Sequence, residues 1–83
     1  MVKPIMIVAQ ARAARGLLGW SQEQLAEAAG LSHPTVKRFE TGKGANVSTD
    51  AVAKMRAALE AGGVEFIAEN GGGAGVRLRR RTK

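Results

Sequence analysis

The most constraining stretch is QEQLAEAAGLSHPTVKRFET, Gln22 to Thr41, which reads as two short helices joined by a tight turn. Ser21 precedes the first. Its hydroxyl can accept from the amide of Gln24, and the Gln24 side chain can reach back, a capping box. Trp20 and Leu25 have the spacing of a hydrophobic staple across that cap. The helix continues through Ala26, Ala28 and Ala29 to Gly30, a residue that tolerates the positive φ of a helix end. A second helix starts at once. Ser32 is its cap, Leu31 and Val36 repeat the staple, and Pro34 occupies the first turn, where a missing N–H costs nothing. Val36, Phe39 and Glu40 share one side of this helix and should face the core. His33, Pro34, Lys37, Arg38 and Thr41 share the other, with two cations and no acid.

These residues, taken together, resemble the helix-turn-helix of the phage lambda repressor and Cro type, also called the XRE type. Gln22 opens the motif, Ala26 is the small residue at the helix–helix contact, and Gly30 is the turn glycine. Leu25, Ala29, Leu31, Val36 and Phe39 fill its apolar positions, and Glu40-Thr41-Gly42 matches the Glu-x-Gly ending. The resemblance covers roughly Ile7 to Ala61. It implies a mainly α protein: a compact four-helix lambda repressor-like DNA-binding domain over residues 1–62, its motif at about 21–42, with a short C-terminal β-hairpin or strand extension over 63–83.

The composition is compatible with that expectation. The 83 residues carry a formal charge of +6, which suits a polyanionic partner. There is no cysteine, so a disulfide framework and a cysteine-ligated zinc finger are excluded. Only Trp20, Phe39 and Phe66 are aromatic, and the first two are needed inside, which disfavours single-strand binding on exposed stacking platforms. The apolar run Ile5 to Ala9 is too short for a signal peptide or a membrane span. A cytoplasmic, nucleoid-associated protein of bacterial or phage type is expected, with no membrane association.

The remaining elements can be placed around the motif. A first helix is predicted over about Ile5 to Leu17, with Ile7, Ala11, Ala14 and Leu17 or Leu18 as its apolar stripe. Arg15 lies six residues before Ser21, where the resemblance places an arginine that pairs with the glutamate of the second motif helix, here Glu40. After Gly42, the loop Lys43-Gly44-Ala45-Asn46 leads to another helix start, with Ser48 as cap, Val47 and Val52 as staple and Asp50 in the positive first turn. Val52, Met55 and Leu59 recur at helical spacing, and Gly62-Gly63 ends the helix. The period then changes. Val64, Phe66 and Ala68 alternate with Glu65, Ile67 and Glu69, and beyond a glycine-rich loop Val76 and Leu78 alternate with Arg77 and Arg79. This predicts two strands with one apolar face and with Glu65 and Glu69 opposite arginines. A lone hairpin has an open edge, so Val64, Phe66, Ile67, Val76 and Leu78 are the candidate dimerisation residues. The glycine loop has no GxGxxG and no Lys-Ser after it, so nucleotide binding has no support. The tail Arg79-Arg80-Arg81-Thr82-Lys83 reads as solvated, with non-specific phosphate affinity.

The resemblance implies a transcriptional regulator of double-stranded DNA, a repressor acting as a homodimer on an inverted-repeat operator, with the helix 32–41 in the major groove. His33, Pro34, Lys37 and Arg38 are the candidates for base readout. Gln22, Thr35, Thr41, Lys43 and Asn46 are the candidates for phosphate contact. The alternative is an antitoxin or protein-interaction module whose C-terminal part binds a partner protein. An enzyme is not expected, because a single histidine and no tyrosine or cysteine leave no acid–base constellation. No metal and no cofactor are expected.

Overall fold

The computed structural model describes residues 4–42 and 47–79. The elements follow in the order α1 (Val8–Leu18), α2 (Gln22–Ala29), α3 (His33–Thr41), α4 (Thr49–Ala61), β1 (Val64–Ile67) and β2 (Gly75–Leu78). The fold is mainly helical with a two-stranded antiparallel hairpin at its C-terminal end.

Three helices start on a serine. The Ser21 hydroxyl accepts from the Gln24 amide at 3.0 Å, and Gln24 Oε1 accepts from the Ser21 amide at 2.7 Å, completing the capping box. Ser32 Oγ accepts from Thr35 N at 3.3 Å, and Ser48 Oγ from Ala51 N at 3.1 Å. Each satisfies an amide that the helix itself leaves without a partner. The first helix has no such residue. It starts at Val8 rather than near Ile5, because the amide of Ile7 donates to Gln10 Oε1 at 3.0 Å and Ile7 itself stays extended. Ile7 is therefore outside the apolar stripe, which runs through Ala11, Ala14 and Leu18. Met6, just before the cap, enters the core in its place.

The turn between α2 and α3 is set by Gly30 at φ +70°. The Leu31 amide donates back to Ala26 O at 2.9 Å and the Gly30 amide to Glu27 O at 3.2 Å, a Schellman ending. α3 closes on Gly42, whose amide donates to Arg38 O at 2.8 Å. A Cβ at Gly42 would lie only 2.8 Å from that same carbonyl, so the motif's final glycine is required by close approach rather than by φ.

Leu25, Val36, Met55, Leu59 and Val64 are the largest fully buried side chains, and Phe39, Val52 and the alanines 11, 14, 26 and 58 complete the core. Burying each large aliphatic is worth about 1.5–3 kcal/mol, and the small residues on α1 and α2 let α1 approach α3 and α4 and let α2 approach the same two helices. The hairpin packs on α1 and α4. Its register pairs Val64 with Leu78, Glu65 with Arg77, Phe66 with Val76 and Ile67 with Gly75. Val64, Phe66 and Val76 turn toward the helices. On the opposite face Arg77 Nε and Nη2 donate to the two oxygens of Glu65 at 3.2 and 3.1 Å. Strand β1 ends at Ile67, so Ala68 and Glu69 lie exposed in the loop, and Glu69 does not face an arginine across the ladder. Among the described residues no helix is long and apolar enough to cross a membrane.

Candidate nucleic-acid interface

Glu40 is the side chain on which the helix-turn-helix is anchored. It lies on the inner face of α3, with only 2% of its side chain exposed. Arg15 of α1 donates to it twice, Nε to Oε2 and Nη2 to Oε1, both at 2.8 Å, and donates Nη1 to the carbonyl of Trp20 at 3.0 Å. This fork geometry fixes three segments against one another: α1, the turn before α2, and α3. Burial pushes the Glu40 carboxyl up, but the Arg15 guanidinium and the Gln22 amide outweigh it and hold the group below the usual carboxylate range. The bond to Glu40 likewise raises the Arg15 guanidinium above its ordinary value.

Gln22 extends this arrangement. Its Nε2 donates to Glu40 Oε1 at 3.1 Å and its Oε1 lies 3.2 Å from His33 Nε2. A carboxylate can only accept, so the amide nitrogen must face Glu40 and the amide oxygen must face the imidazole. His33 Nε2 is then the donor. Its Nδ1 sits 3.8 Å from a carboxylate oxygen of Glu23, an ion pair when the ring is protonated. The first residue of α2 thus holds the first residue of α3, and both are tied to the Arg15–Glu40 pair. The other amide hydrogen of Gln22 has no acceptor among the described residues.

The outer side of α3 is arranged differently. Pro34, Lys37, Arg38 and Thr41 are exposed. The Lys37 and Arg38 side chains have no ion pair or hydrogen bond among the described residues. Thr41 donates its hydroxyl hydrogen to Lys37 O at 2.7 Å, and Thr35 Oγ1 lies 2.8 Å from Ser32 Oγ. Thr41 is bonded within α3 and Thr35 to the cap of α3, and a phosphate contact would have to share or replace these bonds. Lys43 and Asn46 lie outside the described residues, as does the tail beyond Arg79.

Of the residues considered for a subunit contact, Val64 is fully buried within its own chain, Phe66, Ile67 and Val76 are half-buried, and Leu78 is exposed. No group of three or more His, Cys, Asp or Glu among the described residues could hold a metal ion. Sequence reasoning missed two participants. Glu23 faces His33 across the turn, a pairing between helices that no spacing announces. Gln10, buried, donates Nε2 to Gly75 O at 3.1 Å and so ties α1 to the hairpin. Its position three residues after Ile7 was the available signal, since that is the return half of a capping box.

The family model described as a helix-turn-helix domain matches residues 7–66 of the chain. The chain therefore belongs to the helix-turn-helix domain family. The match runs from the cap of α1 into β1, so it includes every helix and all but the last residue of the first strand. A helix-turn-helix is a DNA-binding element whose second helix enters the major groove, and membership of this family points to a DNA-binding regulator. No curated protein matches the chain.

Proposed function

We propose that the chain is a sequence-specific double-stranded DNA-binding regulator of the lambda repressor–Cro type, a repressor that occludes a promoter as a homodimer on an inverted-repeat operator. The observation that carries this reading is the contrast between the two sides of α3. Its inner side is clamped through Glu40, while Lys37 and Arg38 stand on its outer side without partners among the described residues.

In this reading α3 enters the major groove with its N-terminal end toward the base edges. Arg38 reads guanine through O6 and N7, and Lys37 reaches guanine or a phosphate. Pro34 has no donor and contacts a thymine methyl. His33, oriented by Gln22, meets a base edge or a phosphate. Gln22 offers its remaining amide hydrogen to a phosphate with the α2 N-terminus behind it. Thr35, Thr41, Lys43 and Asn46 follow the backbone on either side. The dimer reads half-sites about one helical turn (~34 Å) apart.

Selection of bound sequences from a random duplex library at physiological salt tests this. A palindromic consensus is the expected result. A single unrepeated site would remove the two-fold operator, and binding without enrichment that vanishes as salt rises would leave only non-specific charge.

A further inference from the structure

His33 is the chain's single histidine and the first residue of α3. The hydrogen-bonding sense of its ring is decided elsewhere in the fold. The two bonds from Arg15 hold Glu40 as a carboxylate, which only accepts. Gln22 must then present its nitrogen to Glu40 Oε1, at 3.1 Å, and its oxygen to His33 Nε2, at 3.2 Å. The hydrogen of a neutral ring is therefore on Nε2, and Nδ1 is left as an acceptor. An ion pair between α1 and α3 thus selects the tautomer of a side chain that is itself 42% exposed.

Nδ1 lies on the side of Glu23. The nearest Glu23 carboxylate oxygen is 3.8 Å away, on a side chain that is 76% exposed. Two acceptors do not bond, so a neutral ring leaves Nδ1 to an outside donor and Glu23 to water. A proton on Nδ1 reverses both, because the ring becomes a cation with an N–H directed at Glu23. α3 packs mainly on α1 and α2. Among the described residues the charged groups about the ring are Glu23 on α2 and Lys37, one turn along α3 on the same side, while Arg15 of α1 and Glu40 act on it through Gln22.

Resting on the DNA-binding reading above, we propose that His33 determines specificity at one base pair of the operator: Nδ1 accepts from the amino group of adenine or cytosine, and a proton on Nδ1 turns the ring to Glu23 and withdraws that contact. Adenine N6 and cytosine N4 are the donors that the major groove displays. The side chains of Lys37 and Arg38 only donate, so they need guanine or a phosphate, and the Pro34 side chain neither donates nor accepts. Of the base-readout candidates, His33 alone has a side-chain acceptor, and it has one pointed away from Gln22 only in the tautomer that Glu40 imposes. It supplies the reading that the two cations cannot make. Histidine is also the side chain whose charge ordinarily changes between about pH 5 and 8, so this reading, unlike theirs, is lost in mild acid.

Selection from a random duplex library at about pH 7.5, with the unaltered full chain and with His33→Leu, locates the contact as the base pair constrained for the first and free for the second. Thermal melting checks that the variant folds. Every base pair carries both an amino group and acceptors in the major groove, so single-group deletions at that pair decide between them. Purine for adenine, or pyrimidin-2-one for cytosine, removes the amino group, and a 7-deazapurine removes only the N7 acceptor. The expected result at about pH 7.5 is that deleting the amino group weakens binding of the unaltered chain on the order of 5-fold. Deleting N7 does not, and neither deletion has this effect on His33→Leu. At about pH 5.5 the amino-group cost falls toward none, whereas in His33→Gln, whose amide oxygen accepts at either pH, it stays. A cost that follows N7, an amino-group cost unchanged in acid, or a consensus unaltered by His33→Leu overturns the proposal and leaves the DNA-binding reading standing. An unaltered chain that enriches no consensus overturns that reading and, with it, this contact.

Discussion

Removing the Glu40 carboxylate is the most informative perturbation of this fold. Glu40→Ala takes away both acceptors of the Arg15 fork and the acceptor of Gln22 Nε2. Arg15 is left with one bond, to Trp20 O, and its side chain is only 19% exposed. Breaking a buried pair by deleting one partner costs about 3–5 kcal/mol, because the remaining charge is stranded. Arg15 sits near the surface and can partly rehydrate, so the lower figure, about 3 kcal/mol, applies. A chain of 83 residues has a stability on the order of 4–12 kcal/mol, and each kcal/mol moves the melting temperature of such a domain by about 4–8 °C. Glu40→Ala should therefore lower Tm by roughly 12–24 °C at neutral pH, read by circular dichroism. The same reasoning makes a second, less intuitive prediction. Arg15→Met combined with Glu40→Leu removes both charges and fills the space with apolar atoms, and should recover most of the lost stability. A Tm loss below about 5 °C for Glu40→Ala would refute the stranded-charge argument. So would a double variant as unstable as the single one.

The depressed Glu40 carboxyl also sets a pH dependence. Its stabilisation is complete above the unfolded carboxyl value of about 4.3 and is lost as pH falls through the lower folded value. Glu40→Gln should therefore melt well below the parent chain at pH 7 and converge with it in acid, and a gap in Tm that stays constant with pH would contradict this. Gly30→Ala places a Cβ at φ +70°, where space is open but the backbone conformation is unfavourable; a loss of about 1–2 kcal/mol is expected in chemical denaturation. Arg38→Ala should weaken binding to the selected operator by about 1–3 kcal/mol and relax preference at one base pair, whereas equal losses on operator and random duplex would show that Arg38 does not read bases.

The helices were legible in the sequence because each depends on a local device. Ser21, Ser32 and Ser48 sit next to the amides they cap, and Gly30 supplies its own φ. The alternation of β1 and β2 was legible for the same reason, since a period of two needs no knowledge of the partner strand. The start of α1 was less so. The apolar stripe suggested a helix from about Ile5, but the side chain that closes the first turn is Gln10, and a glutamine inside a helix reads first as a surface residue. The strand ends misled as well. Nothing in Ala68-Glu69 breaks the alternation, and only the pairing of Ile67 with Gly75 shows where the ladder stops.

What the sequence could not show is how the polar side chains of the candidate interface are held within the chain. Nothing in their spacing separates Gln22, His33 and Arg38 in this respect. The structure divides them. Gln22 and His33 bond to each other and, through Glu40, to Arg15 on another helix, so their first role is to hold the start of α3 in place. Arg38 has no such tie among the described residues. That division depends on the angle between α2 and α3, which follows from packing around Leu25, Ala26 and Val36 and not from any local spacing. It also has a mechanistic consequence for the proposed function. A long cation gains specificity only if its backbone is fixed before contact, because otherwise binding must also order the helix. A clamped inner face of α3 and an unengaged outer one are then two halves of one requirement: Arg15, Glu40, Gln22 and His33 set the position from which Lys37 and Arg38 reach.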